Sequence, residues 1–214
     1  MKKKILVACL CVALAVLTIA GTTLAYLTSK DTVTNTFTVG NVSIKLDEAK
    51  ANTDGSLYDN GTTRVDANSY KLIPGHTYAK DPMVTVLKGS EKSYIKMTVT
   101  FSMAKELDAI FAPTGAPLTS IFKGYDSDNW IAKGNTKDTA NNTRTYEFWY
   151  KETVAAPTAD VALDALFDNI TFPGTITKEQ LAAIKGMTIT VNAYAIQADG
   201  FDTAEAAWAA YAAA

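Results

Sequence analysis

The sequence predicts an all-β protein, an antiparallel β-sandwich with a few short helices inserted, and three observations carry that expectation. Apolar and polar residues alternate in short runs, most cleanly over 94–101, where Ile95, Met97, Val99 and Phe101 oppose Lys96, Thr98 and Thr100. Clusters of Gly, Asn, Asp and Pro separate these runs at irregular intervals. The segments that read as helical are few and short, and no internal repeat of fixed period is visible.

Taken in order, the chain opens as an export address. Lys2, Lys3 and Lys4 form a positive n-region, and 5–20 is an uncharged, mostly apolar run. Thr23-Leu24-Ala25 fits the small-residue cleavage rule, so the expected cut falls between Ala25 and Tyr26, giving a signal peptide at 1–25 and a single domain at 26–214. A retained membrane anchor is the competing reading, because no charge follows until Lys30; Gly21, Thr22 and Thr23 are a poor end to a span. Cys9 opens the apolar run rather than following it, which excludes a lipoprotein box.

After the cut, threonines at 32, 34, 36 and 38 alternate with Val33, Asn35, Phe37 and Val39, the pattern of a strand. Past Gly40-Asn41 the apolar phase moves to Val42, Ile44 and Leu46, which permits either a two-residue hairpin or a bulge in one long strand. Residues 47–69 read as a polar loop with a small hairpin at Asn60-Gly61. Within it Asn52, Asp54, Ser56 and Asp59 resemble a fragment of a calcium loop, without the spacing or the bidentate glutamate of an EF-hand. Pro74-Gly75 signals a type II turn. Strands follow at 83–87 and 94–101, with a hairpin-length connection between them.

Leu107, Ile110 and Phe111 share a helical face over 104–112, and Pro113 stops the helix. Residues 113–144 read as loops around one weak strand. The run 143–154 is the most aromatic: Tyr146, Phe148 and Tyr150 on one face, Trp149 on the other, as in a central strand or one whose outer face a helix covers. A short helix is expected at 160–167, a turn at Phe172-Pro173-Gly174, and a helix from Thr177, capped reciprocally with Gln180. The last strand spans 187–196, and Asp202 with Glu205 suggests a second capping box opening an alanine-rich tail, pinned by Trp208 and Tyr211.

Chemistry is sparse. The formal net charge is −2, and loss of three signal lysines makes the exported chain more acidic, so neither nucleic acid nor anionic lipid is an expected partner. Both cysteines, Cys9 and Cys11, precede the cut, leaving no thiol for catalysis or disulfides. His76 is the only histidine, which removes any two-histidine zinc site within one chain, and no Gly-x-Ser-x-Gly elbow or phosphate-binding glycine loop occurs. The local carboxylate pairs Asp126/Asp128 and Asp164/Asp168 fall most naturally on solvated turns or helix faces. No catalytic residue, cofactor or metal is therefore expected.

Leu24-Ala25-Tyr26-Leu27-Thr28, then 35–42 (Asn-Thr-Phe-Thr-Val-Gly-Asn-Val) and Leu46, resemble the N-terminal signature of secreted proteins of the TasA and camelysin type. Patchier similarity lies in Pro74-Gly75, in Lys80-Asp81-Pro82 and over 193–198. The resemblance implies a jelly-roll-like sandwich, processing by a SipW-type signal peptidase, and a role as a biofilm-matrix subunit, secreted to the matrix or cell surface, that associates with itself and other matrix proteins. It also implies an assembly strand near the new N-terminus, whose Val33, Phe37 and Val39 would fill pockets of a neighbour or of their own subunit. Camelysin-type proteins have been classed as metallopeptidases, which the single histidine disfavours. An adhesin using Tyr58, Trp130 and Trp149 is the alternative function.

N-terminal sequencing of exported protein is expected to start at Tyr26, and Ala25→Asp to block processing, because a charged side chain does not fit a small-residue subsite. A chain retained with its signal in the membrane fraction contradicts this.

Overall fold

A computed structural model describes residues 40–111, 118–156 and 158–213. The expected signal segment, the expected cut between Ala25 and Tyr26, and the strand expected to carry Val33, Phe37 and Val39 lie outside them. In chain order the elements are β1 (Ile44–Ala49), β2 (Arg64–Val65), β3 (Thr77–Ala79), β4 (Met83–Val86), β5 (Ser90–Ser102) and helix α1 (Ala104–Phe111). Then come β6 (Phe122–Lys123), β7 (Trp130–Asp138), β8 (Thr143–Tyr150), β9 (Val154–Ala156), β10 (Val161–Ala162) and β11 (Asn169–Thr171). Helix α2 (Lys178–Ala183), β12 (Ile189–Gln197) and helix α3 (Ala204–Ala213) complete the chain.

All strand pairings are antiparallel. One sheet runs β12-β5-β8-β7, with β9 added to the start of β5; a second runs β10-β4-β1-β2, and a third β3-β11-β6. The fold is an antiparallel β-sandwich around one hydrophobic cluster. That cluster takes Ile95, Met97, Val99 and Phe101 from β5, Tyr146 and Phe148 from β8, Val84 and Val86 from β4, and Leu107, Ile110 and Phe111 from α1. Period-two alternation produces it: each apolar residue of β5 is buried and the Lys or Thr between is not.

β5 is the hub, and its register fixes which face every neighbour presents. Val99 lies opposite Val191 on β12 and Tyr146 on β8, while Lys96 lies opposite Tyr194 and Trp149. Residues directly opposed share a face, so the second set forms an aromatic outer surface. Helix α3 covers it. Trp208 is 4% exposed, its ring 6.3 Å from that of Trp149. The Lys96 ammonium lies 4.5 Å from the Trp208 ring centroid, and Tyr211, almost half exposed, meets Tyr194 at 5.8 Å. The aromatics on both faces of β8 thus reflect both conditions named from sequence: β8 is a central strand, and a helix covers its outer face.

Several expectations need correction. β4 and β5 do not form a hairpin, since β4 pairs with β1 and β10 and the short link at Leu87–Gly89 carries the chain from one sheet to another. Gly89 adopts φ +86 there, a left-handed value that glycine accepts without a Cβ penalty. The weak strand expected within 113–144 is the nine-residue β7, hard to read because it is an edge strand with a bulge between Ala132 and Gly134 and mostly exposed side chains. The segment 160–167 is not a helix: it forms β10 and then folds its Leu163, Leu166 and Phe167 into the core.

At Asn60-Gly61 the chain makes a 3-10 turn over Asp59–Gly61 rather than a hairpin. The cap of α3 is Thr203, whose hydroxyl accepts from the Ala206 N–H at 3.2 Å, while Glu205 pairs instead with Lys133 at 3.0 Å. The capping box of α2 forms as read, with both Thr177–Gln180 hydrogen bonds present. Helix α1 has a distant cap: Asn142, in the turn between β7 and β8, accepts from Ala104 N–H through its backbone carbonyl (3.0 Å) and from Lys105 N–H through its side chain (2.9 Å).

Trp208→Ala should remove most of the attachment of α3. Truncating a buried tryptophan costs about 3 to 5 kcal/mol, and the lower end is expected because the Trp208 indole N–H is buried without an acceptor among the described residues. Denaturant unfolding of the variant checks this; a midpoint unchanged from wild type contradicts it.

Candidate functional site

The two edges of the five-stranded sheet differ. β7 carries Lys133 and Lys137 and a bulge, devices that discourage a further strand from pairing. β12, sequence ITVNAYAIQ, has no charge, proline or bulge over nine residues, and among the described residues it pairs only with β5. The direction of its free groups follows from neighbouring hydrogen bonds. Thr188 accepts from the Ser102 N–H on β5, and Ala198 donates to the Lys92 carbonyl, so even-numbered residues turn their backbone groups toward β5. With a period of two, the N–H and C=O of Ile189, Val191, Ala193 and Ala195 point away from it.

Along the start of this edge runs a groove of about 960 Å³. Helix α2 and the turn after it form one wall, and 67–72 the other. Leu72, Leu181, Ile184, Met187 and Ile189 give it apolar surface, and Lys71, Lys178 and Lys185 line it without an ion-pair partner among the described residues. The groove adjoins the edge only at its start, where Ile189 and Thr190 line it.

The segment 67–72 contains no strand, so its position needs another explanation. Asp47 and Glu48, expected as the start of a solvated loop, are buried at the end of β1. Asp47 accepts from Arg64 Nε at 2.8 Å, and the same guanidinium donates to Asp81 at 2.6 Å. Glu48 holds Lys80 with one carboxylate oxygen and, with the other, accepts from Asn68 Nδ2 at 2.9 Å. Asn68 also donates to the Ala49 carbonyl and accepts from the Ala51 N–H, each at 2.8 Å. Tyr70 donates to the Ala79 carbonyl at 2.6 Å. Burial, together with the charge of Glu48, pushes the Tyr70 hydroxyl far above the ordinary tyrosine pKa, so it remains a donor.

The other residues singled out from sequence are placed as follows. Trp130 is buried and donates to the Asp164 carbonyl at 3.1 Å; Trp149 is half-buried against Trp208 of α3, with Lys133 over its ring; Tyr58 is exposed, with Lys50 over its ring. His76 sits edge-on to Tyr78 after the Pro74-Gly75 turn, whose His76 N–H donates to the Ile73 carbonyl at 3.1 Å. Asp126 is satisfied by the N–H groups of Asp128 and Asn129, and the Asn129 amide also bridges to Asp164. Asp54 accepts from Ser56 and Asp59 from Thr63, each within its own loop. Among the described residues no three His, Cys, Asp or Glu gather as a metal site.

Sequence reasoning missed Glu48, Asn68 and Lys80 because their pairing spans distant positions. It also missed the edge, whose signal was the charge-free run 186–198. Comparison with protein-family models, with curated proteins and with solved structures returned no match.

Burial pushes the Asp47 carboxyl up, but hydrogen bonds from Lys45 and Arg64 outweigh it and hold the group below the usual carboxylate range. A carboxylate lowered in the folded state stabilises above its unfolded pKa of about 4, and that contribution is lost as pH falls through the folded value. Arg64→Ala is therefore expected to cost about 2 to 3 kcal/mol at neutral pH, with the gap from wild type narrowing below about pH 4. Urea unfolding of both proteins across that range tests it, and a gap independent of pH contradicts it.

Proposed function

We propose that this chain is a secreted structural subunit of an extracellular matrix or surface fibre, joined to its neighbours by β-strand addition at the outer edge of β12. The observation that carries the reading is the nine-residue edge without charge, proline or bulge, beside a groove with apolar surface. Monomeric proteins blunt such edges, and here only the opposite edge, β7, is blunted.

The donor in this reading is the segment from Tyr26 to Val39, released by a cut at Ala25. Alternation puts Val33, Phe37 and Val39 on one face, so that a strand whose backbone pairs with Ile189, Val191, Ala193 and Ala195 would bring an apolar side chain at one end to the groove beside Ile189. Before cleavage the signal peptide tethers the donor to the membrane, and a SipW-type peptidase releases it. The reading includes no turnover of an external substrate, and other matrix proteins offering a similar strand are admissible partners.

Ala193→Pro and deletion of 26–34 test the two halves. Proline is tolerated on an edge where its missing N–H faces away from the sheet, so Ala193→Pro should stay folded while losing one outward donor and obstructing an added strand. A deficit of about 1.5 kcal/mol per junction corresponds to roughly tenfold weaker assembly, read by light scattering and electron microscopy. Deletion of 26–34 should leave a folded subunit without filaments. Filaments forming normally in Ala193→Pro reject the edge; filaments forming normally after the deletion reject the donor.

A further inference from the structure

Lys80, Glu48 and Asn68 form an arrangement that the assembly reading does not use. Lys80 and Glu48 are 7% and 5% exposed, so a primary amine and a carboxylate are paired out of solvent. The second oxygen of the same carboxylate accepts from Asn68 Nδ2 at 2.9 Å. The orientation of the Asn68 amide is fixed by its other partners: Oδ1 faces the Ala51 N–H at 2.8 Å, and Nδ2 faces the Ala49 carbonyl at 2.8 Å. Amine, proton carrier, amide leaving group and a donor on the amide oxygen are thus gathered around one carboxylate, in a chain whose described residues contain no cysteine for a disulfide.

We propose that Lys80 and Asn68 become joined by an intramolecular isopeptide bond, with Glu48 as the catalytic acid and base. A proton passes from the Lys80 ammonium to Glu48 Oε2, which leaves a neutral amine. The Nζ lone pair attacks Asn68 Cγ and forms the new N–C bond, while charge gathers on Oδ1 against the Ala51 N–H, a donor placed as in an oxyanion hole. Glu48 passes its proton through Oε1 to Nδ2 and takes one from the now tetravalent Nζ. The Cγ–Nδ2 bond breaks, its electron pair leaves with nitrogen as ammonia, and the carbonyl re-forms. Ammonia then takes the proton held by Glu48 and departs as ammonium through the groove, which Asn68 and Lys80 both line. The sum is an ammonium side chain and a carboxamide giving a secondary amide and ammonium ion, with no change of oxidation state and no co-reactant.

Burial strengthens each of these interactions, because water competes weakly for groups in a low-dielectric site. Holding amine and amide on one carboxylate also removes most of the entropy cost of bringing them together. Lysine with a carboxylate and an asparagine is equally a set of groups that could hold the fold by ion pairing and hydrogen bonds alone. A chemical measurement separates the two, since only bond formation changes mass.

The experiment is the intact mass, under denaturing conditions, of the purified full chain, referred to the N-terminus sequenced in the same sample. The expected result is a mass lower than the sequence mass by one ammonia, with a protease digest yielding a branched peptide that joins Lys80 to Asn68. Lys80→Ala and Asn68→Ala should each have full mass, and Glu48→Gln should lack the branched peptide while circular dichroism shows it folded. A wild-type chain of full mass that gives separate unmodified peptides overturns the proposal. An ammonia deficit that persists in Lys80→Ala also overturns it, since asparagine would then be cyclising on its own backbone, and so does a bond formed equally well in Glu48→Gln. None of these outcomes depends on whether the chain builds fibres.

Discussion

The constraint on which the structure depends is the pairing of charges buried at the end of β1. Asp47 and Glu48 leave water there, which is unfavourable by several kcal/mol per ion unless each is matched, and they point to opposite sides of a strand. Asp47 fixes Arg64 and through it Asp81, tying β2 and the start of β4 to β1. Glu48 fixes Lys80 and Asn68, tying the end of β3 and the irregular segment 67–72 to the same strand. Hydrophobic contact alone would let these short strands slide, because β2 has two residues and β3 three. Charge matching is directional, and a register slip would leave a buried carboxylate without its cation.

β5 plays the corresponding part in the opposite sheet through apolar alternation instead of charge. Its thirteen residues pair with β12, β8 and β9, so one strand sets the faces of three neighbours. The consequence for function lies in what remains unpaired. Having β12 on one side and β8 on the other, β5 has no free edge along most of its length, and pairing can continue only at β7 or β12. Lysines and a bulge disfavour β7. β12 pairs only with β5 among the described strands, though β1 packs near it, and no charge lies along it; its start adjoins the groove wall held by the Glu48 pairings rather than by a sheet.

These facts divide the chain into what local pattern could reveal and what it could not. β5 and β8 were legible because each buries alternate residues, β12 because apolar Ile189 and Val191 alternate with more exposed Thr190 and Asn192, and α2 because its capping box is a contact three residues long. The C-terminal helix was legible as a place for Trp208 to be buried, though its cap is Thr203 rather than Asp202. β7 was legible only as a weak strand because an exposed edge strand has no reason to alternate, and the segment after Asp160 was misread as a helix because its leucines reach the core from an irregular backbone. Buried Asp47 and Glu48 looked like loop residues for a stronger reason. A carboxylate in sequence carries no mark of the cation that will meet it 17 or 32 positions later. The same blindness applies to the candidate site, whose edge could be read as a charge-free run but whose walls come from distant segments.

A fibre joined by strand addition places a particular mechanical demand on such a subunit. In the proposed fibre, tension on an added strand would act along β12 and be carried into the body through the nine-residue ladder to β5, whose bonds would be loaded in shear and share the force. The groove wall at 67–72 has no ladder to share it, and is held by Asn68, by the Tyr70 hydroxyl, by the backbone bond from Lys71 N–H to the Thr53 carbonyl and by the Tyr78 hydroxyl donating to the Lys71 carbonyl. Hydrogen bonds of this kind contribute about 1 kcal/mol each and open individually on fast timescales, so the wall is the part of the junction that would yield first. The proposed covalent link from Asn68 to Lys80 would fall at that place. It would anchor the wall to the end of β3, next to Asp81 and its pairing with Arg64, and so connect the groove to the charge network that sets the register of the second sheet.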